Sequence, residues 1–403
     1  SCSCGRHLDR RNPSDSLERK LMSDFEIKAP SLQELGQRHS SKWRRFPADV
    51  LPMHVAEMDF QIAEPIQQRI IKMVTESDLG YLGPVPEVAE AFAHFAKKRW
   101  NWSIDQTQLK LATDVGVAVV EFLRANGASN GKVVITSPVY HGFWDWLAEL
   151  NITPVDVPLI ENYSLDINGI EKQFAAGVKY LLLCNPQNPV GKAFTRAELA
   201  ALAAIAKKHD AVIISDEIHA PLTYRDAIFT PYLDCGEDAE ATGVCITSSS
   251  KSWNLAGLKA AFLLTQSAEM QHKVAKMPPA THWRSSIVGA FAMAEAYENG
   301  VDWLDSTVTA LDENRHHLKR ELERLFPDVA YEIPEAGYLA WLDVSSWNLG
   351  DKTVETLIEK AKVALVPGND HGPQYTNHVR FNFGTSKELI TEGLTRISKA
   401  LAN

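Results

Sequence analysis

Short apolar runs recur along the middle of this 403-residue chain and constrain its fold more than any other feature. They occupy residues 133–135, 180–183, 212–214, 244–246 and 261–264. Runs of this length that are bounded by turn residues are typical of strands buried on both faces. Helical patterns separate them, and one begins at the capping box Thr195–Glu198 and extends to about His209. The alternation predicts an α/β fold in which helices sandwich a mostly parallel sheet.

The pattern changes after Met277-Pro278-Pro279. Two long helical patterns are followed by strand-like runs and a closing helix, at 284–299, 301–325, 338–342, 363–366, 379–383 and 386–402. We interpret this part as a smaller α+β domain built from both chain ends, 24–61 with 291–403, beside a large domain at 62–290. Residues 1–23 are polar and charged, which predicts a mobile N-terminal extension.

A further helix is predicted upstream of the first strand-like run. Ile66, Ile70 and Val74 repeat every four residues, which favours one apolar face of an amphipathic helix. Val88, Phe92, Phe95 and Arg99 follow at intervals of four, three and four residues, which predicts a second helix.

Composition narrows the function classes. The chain has 41 Lys and Arg against 51 Asp and Glu, a net charge of −10, which disfavours a nucleic-acid partner. No stretch approaches about 20 uninterrupted apolar residues, so no membrane span is expected. The start lacks the apolar core of a secretory signal, and the 5 cysteines show no disulfide framework, which favours the cytoplasm.

Three motif matches fail on their context. Gly127-Ala-Ser-Asn-Gly131 fits a serine-hydrolase elbow, but it follows a helical pattern and precedes a strand, the reverse of what that elbow needs. Gly191-Lys192 lacks the other residues of a phosphate loop. Cys2, Cys4 and His7 could ligate zinc, yet a fourth ligand is absent nearby. We therefore predict no metal site.

Polar residues follow three of the apolar runs at their carboxyl ends, where open α/β sheets bind ligands. Asn188 follows the run 180–183, Asp216 and His219 follow 212–214, and Lys251 follows 244–246. A lysine can form a Schiff base with a carbonyl, and a carboxylate can keep a pyridinium nitrogen protonated. Taken alone, each residue has an ordinary explanation. Lys251 could be a solvated loop lysine, Asn188 could belong to an Asn-Pro turn, and Asp216 could cap a helix. Together and in this order they indicate pyridoxal phosphate chemistry.

Three segments resemble a known family: Asn-Pro-Gln-Asn-Pro-Val-Gly-Lys at 185–192, Ser-Asp-Glu-Ile-His at 215–219 and Ser-Ser-Ser-Lys-Ser at 248–252. Further matches lie at 42–43, 53–60, 80–81, 137–140, 338–343 and 379–383. Over about 30–400 the chain resembles fold-type I pyridoxal-phosphate enzymes, and within them the cystathionine β-lyase and cysteine-S-conjugate β-lyase branch of the aminotransferase superfamily.

The resemblance implies roles at pyridoxal 5'-phosphate. Lys251 would hold the cofactor and, once displaced, move the Cα proton, and Asp216 would pair with the pyridine nitrogen. Asn188 and His219 would bond the phenolic oxygen, and His219 favours the lyase branch because most aminotransferases of this fold carry Tyr there. Tyr140 would stack on the ring. The phosphate would be bound by the backbone amides of Gly116 and Val117 and by the hydroxyls of Ser248 and Ser250.

Other positions concern the substrate and a partner subunit. Lys259 stands where many aminotransferases carry an Arg on the phosphate, and a lysine lacks the bidentate fork. Tyr81 resembles a tyrosine that reaches the partner's phosphate, which implies a homodimer with shared active sites. Arg380 would clamp the substrate carboxylate, and the backbone of Val55 and Ala56 would line the mouth.

The function expected from the resemblance is β-elimination on cystathionine or a related L-cysteine thioether, which releases a thiol, pyruvate and ammonia. One alternative is an aminotransferase of class I or II, which shares the early steps but needs a 2-oxo acid. Another is a regulatory module that binds the cofactor and contacts a transcription factor.

Overall fold

The structure, a computed structural model, describes residues 27–402, and a seven-stranded sheet forms its centre. From edge to edge its strands are Leu109–Ala112, Ala261–Leu264, Gly243–Thr247, Val212–Asp216, Tyr180–Cys184, Lys132–Ile135 and Thr153–Asp156. Within this sheet Ala261–Leu264 runs antiparallel to both of its neighbours, and the other pairings are parallel. The predicted α/β fold with a mostly parallel sheet is therefore confirmed, and all five apolar runs form strands.

Helices cover both faces of this sheet because its side chains alternate. Leu181 and Ile213 enter one hydrophobic cluster, whereas Leu182 and Ile214 enter the other. Against the second cluster pack Val115–Ala125, Gly142–Glu149 and Ala268–Ala275. Among the helices that contribute buried side chains to the first cluster are Glu64–Thr75, Pro86–Trp100, Ile167–Ala175, Arg196–Lys208, Glu237–Thr242 and Ile287–Asn299.

Helix starts follow the capping chemistry of the sequence. Thr195 and Glu198 form the predicted capping box of Arg196–Lys208. The helix predicted from 284 begins later, at Ile287, because Ser286 caps it through the N–H of Gly289. A separate short helix, Ala280–Trp283, precedes it.

One predicted helix face is partly wrong. Glu64–Thr75 is a helix and Ile66 is buried, but Val74 is 55% exposed. Met73 takes the buried position of the last turn instead, because a strict four-residue repeat drifts away from the 3.6-residue period of an α-helix.

A second layer contains residues from both ends of the chain. Its antiparallel sheet has the order Val366–Pro367, His378–Asn382, Leu339–Asp343, Ala330–Tyr331. The long helices Val301–Leu325 and Lys387–Leu401 pack against each other beside it. Shorter helices are Leu32–Leu35, Ser41–Arg44 and Thr353–Thr356, with a π-helical turn at Leu357–Ala361.

The predicted strand 363–366 divides into two. Val363–Ala364 pairs in parallel with Leu51–Pro52, and Val366–Pro367 pairs with His378–Asn382 in the antiparallel sheet. The domain boundaries stay a prediction, and the one between 290 and 291 falls inside Ile287–Asn299. The predicted extension at 1–23 lies outside the described residues. Among residues 27–402 no helix has the length and apolarity needed to cross a membrane.

Candidate active site

A cavity of about 630 Å³ opens where three parallel strands end, Tyr180–Cys184, Val212–Asp216 and Gly243–Thr247. Its wall brings together most of the predicted site residues: Val55, Ala56, Gly116, Tyr140, Asn188, Asp216, His219, Ser248, Ser250, Lys251, Lys259 and Arg380. Consecutive parallel strands deliver their carboxyl-terminal residues to one edge, so the sheet explains this gathering.

Lys251 follows the strand Gly243–Thr247, and its amine is held inside the cavity. Its Nζ donates a hydrogen bond to the carbonyl of Ala56 at 3.0 Å. Loss of water lowers the pKa of the amine to about 8, and the positive charge of Arg380 acts in the same direction. The nearby carboxylates of Glu57 and Asp216 oppose this shift. A lysine with this pKa supplies a substantial neutral fraction near neutral pH, which nucleophilic attack requires.

Asp216 ends its strand with a buried carboxylate on the cavity wall. Its Oδ1 accepts a hydrogen bond from the N–H of Ile218 at 3.2 Å. Burial raises the pKa of Asp216 to about 7, while this hydrogen bond and the charge of Lys251 lower it. The next residue, Glu217, is also buried, but it accepts from the Ser215 hydroxyl at 2.9 Å and from the Tyr232 N–H at 2.8 Å. Of these two acids, Asp216 is the one that lines the cavity.

Arg380 is placed by the antiparallel sheet, where it lies opposite Trp341. The side chain is 2% exposed and donates to Oδ1 of Asn188 at 3.3 Å and to the carbonyl of His54 at 3.0 Å. Its Nε has no hydrogen-bond partner among the described residues. Burial lowers the pKa of Arg380 to about 10, so it remains a cation at neutral pH. A buried guanidinium with a free donor is suited to bind a carboxylate.

His219 lies on the same wall as a neutral imidazole. Burial, together with the charges of Lys251 and Arg380, lowers its pKa to about 3. Its Nδ1 is buried without a hydrogen-bond partner among the described residues. A buried polar atom without a partner costs stability, so this nitrogen is available for a bound molecule.

The start of Val115–Ala125 borders the other end of the cavity. Gly116 lies under the indole of Trp146, and a Cβ atom there would be 2.6 Å from Nε1 of that ring. Val117 does not line the cavity, and its N–H donates to Oδ1 of Asp114 at 2.7 Å as the helix cap. Of the two predicted amides, the structure therefore brings only that of Gly116 to the cavity.

Ser248, Ser250 and Lys259 surround the same end. The Ser248 hydroxyl donates to the carbonyl of Ala260 at 2.6 Å and accepts from the N–H of Ser250 at 3.1 Å. Lys259 is 57% exposed, and its Nζ lies 3.3 Å from Oδ2 of Asp114. Tyr140 lines this part of the cavity and packs edge-on against Trp146. Lys259 thus reaches the cavity edge but is held by a carboxylate.

The loop at 54–58 shapes the mouth through its carbonyl groups. Asn382 donates to the carbonyls of Val55 and Glu57 at 2.6 and 2.8 Å. The hydroxyl of Tyr338 donates to the carbonyl of Ala56 at 2.8 Å, beside the bond from Lys251. Asn382 and Tyr338 thus hold the loop against the antiparallel sheet, and Lys251 bonds it from the end of the central sheet.

Tyr81 is not brought to this cavity. It is 98% exposed and lies outside the lining residues. Its predicted role at a phosphate therefore stays a prediction.

Sequence reasoning missed several residues of the cavity wall: Arg45, His54, Asp114, His141, Trp146, Glu355 and Asp370. His54 and His141 adjoin predicted positions, and this adjacency is the only signal that could have found them. Glu355 and Asp370 are exposed residues outside the strands, and no periodic pattern marks them.

Comparison with known proteins agrees with this geometry. Residues 49–397 match the sequence profile of the family described as aminotransferase class I and II, so the chain belongs to that family. It is 33% identical to the cystathionine beta-lyase of Corynebacterium glutamicum, an alignment that covers 93% of this chain and 100% of the relative.

Two solved structures agree as well. Cystalysin from Treponema denticola, which contains a pyridoxal 5'-phosphate cofactor, matches at 27% identity and a TM-score of 0.87 over 94% of this chain and 98% of its own. The C-S lyase from Staphylococcus hominis, bound to PLP, matches at 26% identity and a TM-score of 0.84 over 91% and 95%. The resemblance to the C–S lyase branch of the fold-type I enzymes is therefore confirmed.

Proposed function

We propose that this protein is a pyridoxal-phosphate-dependent carbon–sulfur β-lyase. It cleaves cystathionine or related L-cysteine thioethers to a thiol, pyruvate and ammonia. The observation that carries the proposal is one cavity that holds the amine of Lys251, the buried carboxylate of Asp216 and the buried guanidinium of Arg380. The names of the relatives support the same reaction.

Pyridoxal 5'-phosphate fits the polar groups of this wall. The unpartnered Nδ1 of His219 and the Asn188 amide would face its phenolic oxygen, and Asp216 would face its ring nitrogen. Tyr140 would lie along the ring, and Gly116, Ser248 and Ser250 would surround its phosphate. When bound, the cofactor supplies an electron sink for a carbanion at Cα.

The remaining chemistry belongs to side chains of this protein. Arg380 binds the substrate carboxylate through two parallel N–H donors, which fixes the orientation of Cα. The neutral amine of Lys251 then accepts the Cα proton, and its lowered pKa keeps it available for this task. A thiolate is a fair leaving group at Cβ, so elimination follows from the same orientation.

The test supplies cystathionine, cystine and S-alkyl-L-cysteines without any 2-oxo acid and measures pyruvate, ammonia and thiol. We expect all three products in equal amounts from cystathionine. If pyruvate and thiol are absent and amino-group transfer begins only when a 2-oxo acid is added, the protein is an aminotransferase instead.

We also propose a homodimer in which each active site receives Tyr81 from the partner. Apolar side chains are also exposed in the segment that precedes it in the sequence, with Ile71 at 50%, Val74 at 55% and Leu79 at 53%. Exposed apolar groups close together favour a protein interface. Mixing subunits that carry Tyr81→Ala with subunits that carry Lys251→Ala tests the sharing, because each hybrid dimer would contain one intact site. If the mixture is no more active than its two parents, the shared site is wrong.

The proposed location is the cytoplasm. Cys184 and Cys245 are buried free thiols, which suits a reducing compartment. Cell fractionation with an antibody against the protein tests this location.

A further inference from the structure

Part of the cavity wall consists of residues that the proposed reaction does not use. Arg45, Phe46 and His54 belong to this part, as do Glu355 and Asp370. We call these five residues the outer pocket. Arg45, Glu355 and Asp370 are exposed, so this part lies at the entrance.

The outer pocket combines one cation and two anions that are not paired with each other. The guanidinium of Arg45 lies over the ring of Phe46, 5.8 Å from its centre. Among the described residues, no ion pair within 4.0 Å or side-chain hydrogen bond engages Arg45, Glu355 or Asp370. Arg45 is nevertheless close enough to Asp370 to lower the pKa of that carboxyl, although burial raises it overall. Both signs of charge are therefore free to meet a ligand at one entrance.

His54 adds a buried polar group to the same wall. It is 3% exposed, its ring packs edge-on against Phe46 at 4.9 Å, and neither ring nitrogen has a partner among the described residues. Burial and the charge of Arg45 lower the pKa of His54 to about 4, so the imidazole is neutral and offers one N–H donor. Buried nitrogens are normally hydrogen-bonded, and a bound ligand would provide the partner that His54 lacks.

We propose that the outer pocket binds the amino-acid end of a zwitterionic leaving group. Arg45 and His54 receive its carboxylate, and Glu355 and Asp370 receive its ammonium group. The substrates it selects are S-substituted L-cysteines whose leaving half carries both charges, as in cystathionine. This inference rests on the proposed function, since it names the substrate class of the same site.

The assignment is tested with substrates whose leaving half lacks the ammonium group, the carboxylate or both. The set is cystathionine, S-(3-carboxypropyl)-L-cysteine, S-(3-aminopropyl)-L-cysteine and S-propyl-L-cysteine, with pyruvate release measured for each. For Arg45→Met we expect the ratio of kcat/KM for S-(3-carboxypropyl)- over S-propyl-L-cysteine to fall about three- to tenfold, mostly through KM. Arg44→Met is the matched control, because Arg44 is exposed and does not line the cavity.

A second variant tests the proposed contact of Glu355 and Asp370 with the ammonium group. In Glu355→Gln/Asp370→Asn the ratio of kcat/KM for S-(3-aminopropyl)- over S-propyl-L-cysteine should fall by a similar factor. An unchanged ratio in either variant overturns the proposal, as does an equal loss on all four substrates. Absence of pyruvate from every substrate with the unaltered protein would instead contradict the proposed lyase function, so the two failures are distinguishable.

Discussion

The inner half of the cavity and its outer pocket differ in how the fold holds their charges. Asp216 and Arg380 lie on strands and are buried, and Lys251 follows the strand Gly243–Thr247 by four residues. Arg45 and Glu355 are exposed at the entrance. Charges in a dry region act strongly on one another, whereas water and salt screen those outside. We therefore expect variants of the inner half to impair the chemistry and variants of the entrance to alter only substrate preference.

The largest effect should come from Lys251→Ala. Removal of the amine deletes the group that we propose to hold the cofactor and accept the Cα proton, so kcat should fall by about 10³-fold or more. The visible absorbance of the purified protein should also be lost. The melting temperature serves as control, because the side chain makes a single hydrogen bond to the Ala56 carbonyl. A variant that stays yellow and active would remove Lys251 from the mechanism.

Asp216→Asn should lower kcat by about 10²-fold, because an amide cannot keep a ring nitrogen protonated. Glu217→Gln is the matched control: it alters the neighbouring buried acid, whose partners are Ser215, Tyr232 and Cys245. We expect that control to lower the melting temperature and to leave kcat within a few-fold of its original value. Equal kinetic losses in both variants would contradict the separation of their roles.

Arg380→Lys keeps the charge and removes the planar pair of donors. We expect KM for cystathionine to rise by about 30-fold while cofactor absorbance is retained, because one point charge replaces a bidentate contact. An unchanged KM would show that the substrate carboxylate binds elsewhere.

The difference between the two halves also explains what the sequence can predict. Asn188, Asp216 and Lys251 follow apolar runs, and strand topology alone gathers such residues at one edge. The sequence could not show that the predicted phosphate ligand, the N–H of Val117, already donates to the carboxylate of Asp114 that caps the helix. The division of 363–366 between two sheets depends on partners that are distant in sequence.

The outer pocket was missed for a related reason. Arg45, Glu355 and Asp370 are exposed residues from three separate segments, and nothing in their local sequence distinguishes them from solvated charges. Only the folded cavity places them together.

The pKa of Lys251 predicts how the cofactor-free protein takes up pyridoxal phosphate. The neutral amine is the nucleophile, and a pKa lowered to about 8 means that this form increases as the pH rises and dominates above that value. The uptake rate should therefore rise about tenfold per pH unit below 8 and level off above it. Charges that face the amine are Glu57, Asp216, Arg380 and Lys259. Stopped-flow absorbance measures the rate, and a plateau delayed to the ordinary lysine range would contradict the burial effect.

The smallest effect should come from Lys259→Met, at the end of the cavity that Gly116 borders. Its ammonium group is 57% exposed and already lies 3.3 Å from Asp114, so water and that carboxylate screen it. We expect the dissociation constant of pyridoxal phosphate to rise by only about threefold, because exposed ion pairs contribute little free energy. Lys276→Met, on an exposed lysine that does not line the cavity, is the control for loss of surface charge. A rise of about 100-fold, the size expected for a desolvated charged hydrogen bond, would mean that Lys259 turns from Asp114 to the phosphate and belongs with the inner half.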